Sequence, residues 1–351
     1  TSNDDESGVI HRKKFIGVKE YQSVDSRFYC AAVAPTRRFT LLGDCSTITL
    51  WNFTEAKPLE YNDSFTSDAS VCDFTLDERY AVVGSKKGTI IVWNFDQNKT
   101  VATFKGHMNQ CSAIGVPRDV ESENLLASGS RDTNVKLWDM RSKKAAGTFK
   151  GHEELVTGVD ISPDNQYIAS SSLDGSVKVW DVCGGKCIKT FAASAVLGVK
   201  DICFNPAQYC VAAACGDRRI RYYDLNTFEL ISASHKDSTP CTKICFKADG
   251  SCLYAANTDN MKAYDLEANC VLDIVMKPHR KVLDLACGGD FIFVADHTNK
   301  SVIVSSVDER LLNFDQAVEI SRSVSNAGSA AVKQTFYQKN SGSEPGESYG
   351  S

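Results

Sequence analysis

Between residues 156 and 191 the chain runs through four short segments in which apolar and polar side chains alternate: "VTGVDIS" (156–162), "YIASSS" (167–172), "SVKVWDV" (176–182) and "KCIKTF" (186–191). A period of two sends successive side chains to opposite faces of a strand, whereas a helix needs apolar positions three and four apart. The interruptions "PDNQ", "LDG" and "CGG" bring in the Pro, Gly, Asp and Asn that turns use. Each such unit predicts a four-stranded antiparallel meander. No stretch of the chain has a convincing helical period.

The unit recurs. The pair that closes its third strand stands at Trp51-Asn52, Trp93-Asn94, Trp138-Asp139, Trp180-Asp181, Tyr223-Asp224, Tyr264-Asp265 and a degenerate Ser305-Ser306, at intervals of 42, 45, 42, 43, 41 and 41 residues. All four tryptophans of the chain fall on this beat. A lone sheet cannot bury two apolar faces, so neighbouring units must stack, and a repeat of this length with a Gly-His…Trp-Asp signature resembles the WD40-repeat family. The expected fold is all-β, a seven-bladed WD40 β-propeller over residues 11–308, after a disordered N-terminus (1–10) and before a polar, largely disordered tail (309–351) that ends in "NSGSEPGESYGS". The early segment "KKFIGVKEY" (13–21) precedes the first unit and is expected to complete the outer edge of the seventh sheet.

The WD40 resemblance implies a buried network of His, Ser or Thr, Asp and Trp within a blade. Two units match it residue by residue, with His107, Ser128, Asp132 and Trp138 in one and His152, Ser170, Asp174 and Trp180 in the next. A buried indole N–H needs an acceptor and a buried carboxylate needs donors, so these groups persist only by satisfying one another. Elsewhere the Asp position is held by Cys45, Lys87 or Asn299, and by Asp217 ahead of Tyr223. Those other blades are expected to rely on packing alone.

Composition narrows the function. A net charge of -5 argues against a chain whose main task is gripping polyphosphate, although it leaves room for a local basic patch. No apolar run approaches a membrane-spanning length, and "TSNDDESGVIHRKK" lacks the apolar core of a signal peptide, so a soluble intracellular protein is expected. The 14 cysteines sit largely in strand-like runs such as "DICF" (201–204) and "TKICF" (242–246), where a reduced thiol packs as a small hydrophobe. Without secretion the sequons at Asn52, Asn62 and Asn98 carry no meaning.

Each sign of chemistry has a plainer reading. His107-Asp132 and His152-Asp174 have the form of general-base pairs, which the structural network explains better. Cys183/Cys187 and Cys241/Cys245 have no second pair at zinc-finger distance, and no metal or other cofactor is expected. "GSKKG" (84–88) lies between strands rather than before a helix, and no Walker-type loop occurs. In "DRRIRYY" (217–223) alternation sets Arg219 and Arg221 on one face and Ile220 and Tyr222 on the other, an ordinary solvated strand face rather than a nucleic-acid surface.

Binding is the function left. By family analogy the upper face of a propeller carries the turns before each Asp position and the loops that hold the histidines, exposing Lys86, Met108, Arg131, Glu153, Glu154, Leu173 and Arg218. Arg131 and Arg218 lead this set, because guanidinium groups are enriched at interface hot spots.

The runs "ASGSRDTNVKLWDMRSKK" (127–144), "SPDNQYIASSSLDGSVKVWD" (162–181), "FNPAQYCVAAACGDRRIRYYDLNTFELIS" (204–232), "DGSCLYAANTDNMKAYDLE" (249–267) and "KVLDLACGGDFIFVA" (281–295) resemble, in order, the WD-repeat regulatory subunits of katanin, the microtubule-severing complex. That resemblance implies a non-catalytic subunit that targets or regulates an AAA-type severing ATPase in the cytoplasm, at microtubules, centrosomes or spindle poles. The chain departs from those subunits after Asp308, where no segment has the length or period of their helical C-terminal domain. The competing expectation is a substrate receptor or scaffold of another complex, a ubiquitin ligase or an RNA-processing assembly.

Overall fold

The computed structural model describes residues 15–22, 28–34, 39–43, 47–52, 58–59, 68–75, 77–117, 124–265, 270–276, 280–288, 290–297 and 301–312. Of the terminal segments read above as disordered (1–10 and 309–351), 1–10 and 313–351 lie outside the described residues, as do Cys45 and Asn299, while Glu309–Leu311 forms a short 3-10 turn and Leu312 is buried. Seven four-stranded antiparallel sheets make up a seven-bladed propeller. Their inner strands are Cys30–Ala34, Ala69–Phe74, Cys111–Gly115, Val156–Ile161, Val199–Phe204, Lys243–Phe246 and Lys281–Gly288. Adjacent inner strands touch all the way round, the seventh against the first.

The ring closes with the chain's own first strand. Phe15–Gln22 pairs antiparallel with Ser301–Asp308, so the outermost strand of blade seven comes from the opposite end of the sequence. This covers an edge whose N–H and C=O groups would otherwise stand open.

Each junction between blades holds one apolar cluster, seven in all. Between blades three and four, for example, Val135, Leu137 and Phe149 meet Val156, Ile168 and Trp180. This packing corrects the simple alternation read from the sequence. The second strands, Tyr167–Ser172 and Cys210–Cys215 among them, are buried along nearly their whole length, because both faces of a blade meet a neighbour.

A β-bulge recurs near the start of the inner strands, at Ser70, Ser112 and Thr157. It turns a hydroxyl toward the next blade. Ser70 Oγ donates to the Cys111 carbonyl (2.6 Å), Ser112 Oγ to that of Val156 (2.5 Å), and Thr157 Oγ1 to that of Val199 (2.8 Å).

Candidate functional site

The two matched units form the same buried relay. Trp138 Nε1 donates to Ser128 Oγ (2.7 Å), Ser128 Oγ lies 2.8 Å from His107 Nε2, and His107 Nδ1 lies 2.9 Å from Asp132 Oδ2. Burial lowers the His107 pKa, so the ring is neutral near pH 7, and a proton on Nδ1 lets Ser128 donate to Nε2. Trp180, Ser170, His152 and Asp174 repeat the chain at 2.8 Å per step. The glycine before each histidine has a steric reason: a Cβ on Gly106 would come within 3.1 Å of Trp138 Cη2, and one on Gly151 within 3.3 Å of Trp180 Cη2.

Both carboxylates are held ionised. Burial alone would raise Asp174, but Ser176, the Glu153 N–H and His152 outweigh it and bring the pKa down to about 2. Asp132 is likewise lowered, against burial, by the Met108 and Asn134 N–H groups and His107. A folded value below the unfolded one contributes stability that is present above pH ~4 and lost as pH falls toward 2, about 1–2 kcal/mol for a partly exposed group. Asp174→Asn should therefore flatten the acid limb of the melting temperature between pH 4 and 2. An unchanged slope would remove Asp174 from that role.

Blade five corrects the expectation that the remaining units rely on packing alone. Ser194 takes the histidine position, Ala213 the serine and Tyr223 the tryptophan, and Asp217 is gripped at both oxygens by Arg221 at 3.0 and 2.6 Å. Blade six bridges Lys262 to Asp237 (2.7 Å), and in blade one Trp51 Nε1 donates to Thr49 Oγ1 (3.2 Å). In blades five and six an ion pair stands where blades three and four have the relay.

The Asp of the Trp-Asp pair sits at the other end of the blade as a turn cap. Asp139 Oδ1 accepts from the Arg141 N–H, and Asp181 Oδ1 from the N–H groups of Cys183 and Gly184.

Sequence reading missed a group of acids on the inner strands. Asp284 Oδ2 accepts from the Val33 N–H (3.0 Å), Asp160 Oδ2 from Phe204 (2.8 Å) and Asp201 Oδ2 from Ile244 (3.0 Å), each reaching into the following blade. Asp73 belongs to the same group. Burial, then the nearby Asp284 charge, pushes its pKa up to about 7. Lys243 sits 3.8 Å from Asp201 as a partial counter-charge. The available signal was an Asp before an apolar residue in "CDF", "VDI", "KDI" and "LDL", each inside an inner strand.

The expected upper-face residues gather at one end of the blades. Backbone bonds join the turns before the Asp positions to the loops that enter the inner strands: Lys86 N–H to Asp68 O, Arg131 to Gln110, Leu173 to Leu155, and Asp237 to Arg218. Met108 is 93% exposed, Arg131, Glu153 and Glu154 are exposed, and Lys86, Leu173 and Arg218 are half-buried. Lys86 lies 3.6 Å over the Tyr29 ring and 3.6 Å from Asp68. Arg218 donates to Ser238 O (3.1 Å), Arg219 to Ser234 O (2.9 Å).

The twelve described cysteines are free thiols. Burial pushes Cys111 up to about 12 and Cys210 and Cys215 up to about 11, the opposite of an activated thiolate. Among the described residues no three His, Cys, Asp or Glu side chains are grouped to hold a metal, and no helix is long and apolar enough to cross a membrane.

Ring, relays and turn caps together define a seven-bladed β-propeller, three of whose repeats carry a family match. The family described as "WD domain, G-beta repeat" matches residues 98–139, 143–181 and 185–224, each match ending on a Trp-Asp or Tyr-Asp pair. The chain is also 37% identical over 113 residues to the small ribosomal subunit protein RACK1 of Trypanosoma brucei brucei and of Trypanosoma brucei rhodesiense. That match covers 30% of this chain and 35% of each relative, about a third of their length. Both findings reach the WD40 repeats and stop short of a katanin subunit.

Proposed function

We propose that the protein is a non-catalytic interaction scaffold that docks protein partners on its upper face. The observation that carries this reading is the contrast between the two kinds of polar group. The His-Asp pairs are buried and consumed by their relays, while Met108, Arg131, Glu153 and Glu154 stand exposed on loops held by backbone bonds. Rigid sheets carrying displayed loops suit recognition. The cations that hinted at nucleic acid are engaged within the fold, Arg219 with Ser234 and Arg221 with Asp217.

The runs quoted above support a finer reading, in which the partners are a katanin-type AAA ATPase and microtubule or centrosomal proteins, with the chain in the cytoplasm and on the cytoskeleton. The RACK1 similarity favours a second one, a scaffold within another assembly. Binding of the immobilised chain to purified katanin-type ATPase, tubulin polymer and ribosomal subunits separates the two. The first reading expects the ATPase or polymer to be retained and ribosomal subunits not, and the reverse pattern would sink it. In either case Arg131→Glu should weaken capture about fivefold or more with an unchanged melt. Undiminished capture by that variant would remove Arg131 from the docking face.

A further inference from the structure

The loop that enters blade five differs from its neighbours. From His107 to Cys111 and from His152 to Val156 the chain takes four steps, but from Ser194 to Val199 it takes five. The extra residue is absorbed by consecutive left-handed residues, Leu197 (φ 58°) and Gly198 (φ 65°). Leucine is disfavoured in that region, and such strain persists only where the surroundings enforce it.

Here they do. Ser194 N–H donates to Gly175 O (2.9 Å), Ser194 Oγ to Val196 O (2.8 Å), and Gly216 N–H to Gly198 O (2.7 Å), while the Leu173 backbone lies so close that Gly198 has no room for a Cβ. The outcome is an apolar pair held out in water, with Val196 58% and Leu197 65% exposed, beside half-buried Leu173. A bolted loop that holds an apolar pair out in water has the form of a contact patch.

The charges around this knob are lopsided. On the blade-five side Arg218, Arg219 and Arg221 are engaged with Ser238, Ser234 and Asp217, and Lys200 takes the bulge position of the inner strand. On the blade-four side Leu173 is bonded to Leu155, next to Glu153 and Glu154, whose exposed carboxylates form no ion pair among the described residues. We infer that Val196 and Leu197, with Glu153 and Glu154, form a docking patch for a protein segment that carries an apolar pair flanked by Lys or Arg. This inference rests on the upper-face reading and names the partner chemistry at one place on it.

The test measures fluorescence polarisation of short labelled peptides bearing a Leu-Phe pair flanked by Lys, the same pair flanked by Glu, and a Lys-flanked Ser-Ser control. The Lys-flanked apolar peptide should bind best and weaken with added salt. Val196→Ser/Leu197→Asn should weaken it about tenfold or more, with Asn chosen because it tolerates a left-handed backbone. Glu153→Lys/Glu154→Lys should shift preference to the Glu-flanked peptide. Melting curves verify that the variants fold. Equal binding of Lys- and Glu-flanked peptides, or no binding at millimolar protein, overturns the proposal. Loss with Arg131→Glu but not with the Val196/Leu197 variant keeps the upper face as a docking surface and overturns this patch.

Discussion

Trp180→Ala is expected to lower the stability of the propeller by about 3–5 kcal/mol. The indole is 1% exposed and belongs to the apolar cluster between blades three and four, where it lies 5.7 Å from the Phe149 ring. Its removal leaves a cavity between two rigid sheets that cannot close on it, and takes the Nε1–H donor from Ser170. The two effects separate experimentally. Trp180→Phe keeps most of the volume but no donor, and should cost about 1–2 kcal/mol through the disturbed relay. Denaturant unfolding of both variants checks this, and a loss below about 1 kcal/mol for the alanine would mean that the blade repacks without its staple.

Asp73→Asn should instead stabilise the protein at pH 8, by about 1–3 kcal/mol. Burial and the nearby Asp284 charge raise the folded pKa of Asp73 to about 7. A carboxyl that holds its proton more tightly folded than unfolded contributes most stability below pH ~4 and loses it as pH rises through 7. The amide cannot ionise, so the variant should lose that decline between pH 4 and 7. A decline of unchanged steepness would show that Lys243 already neutralises the group. Different blades of one ring therefore answer pH in opposite directions, Asp174 favouring its ionised form and Asp73 its protonated one.

Those two aspartates also mark how far a linear reading reaches. The Trp beat, the turn residues and the strand alternation depend on neighbours a few positions apart, so blade number and strand order were readable, down to the early strand that completes the last sheet. The relay residues were nameable because their spacing repeats between two adjacent units. The inner acids were not, since Asp73 gains its character from Asp284 and Lys243, far away in the chain and brought close only by ring closure. Blade five shows a second blind spot. Its departures at Ser194, Ala213 and Tyr223 look like decay in the sequence, yet the structure fills the gap with the Asp217–Arg221 pair and an enlarged loop. Side-chain exposure at Val196 and Leu197 depends on one extra residue, which a repeat signature averages away.

The strand Phe15–Gln22 is synthesised well ahead of its partner Ser301–Asp308. At usual synthesis rates some 280 residues must follow before that partner emerges, a wait of roughly 15–60 s. During that interval a β-prone segment and the open edge of blade one are both without their native neighbours, the condition in which nascent chains pair wrongly or recruit chaperones. For a ring of this design, cooperativity of the whole propeller waits on the emergence of the strand that closes it.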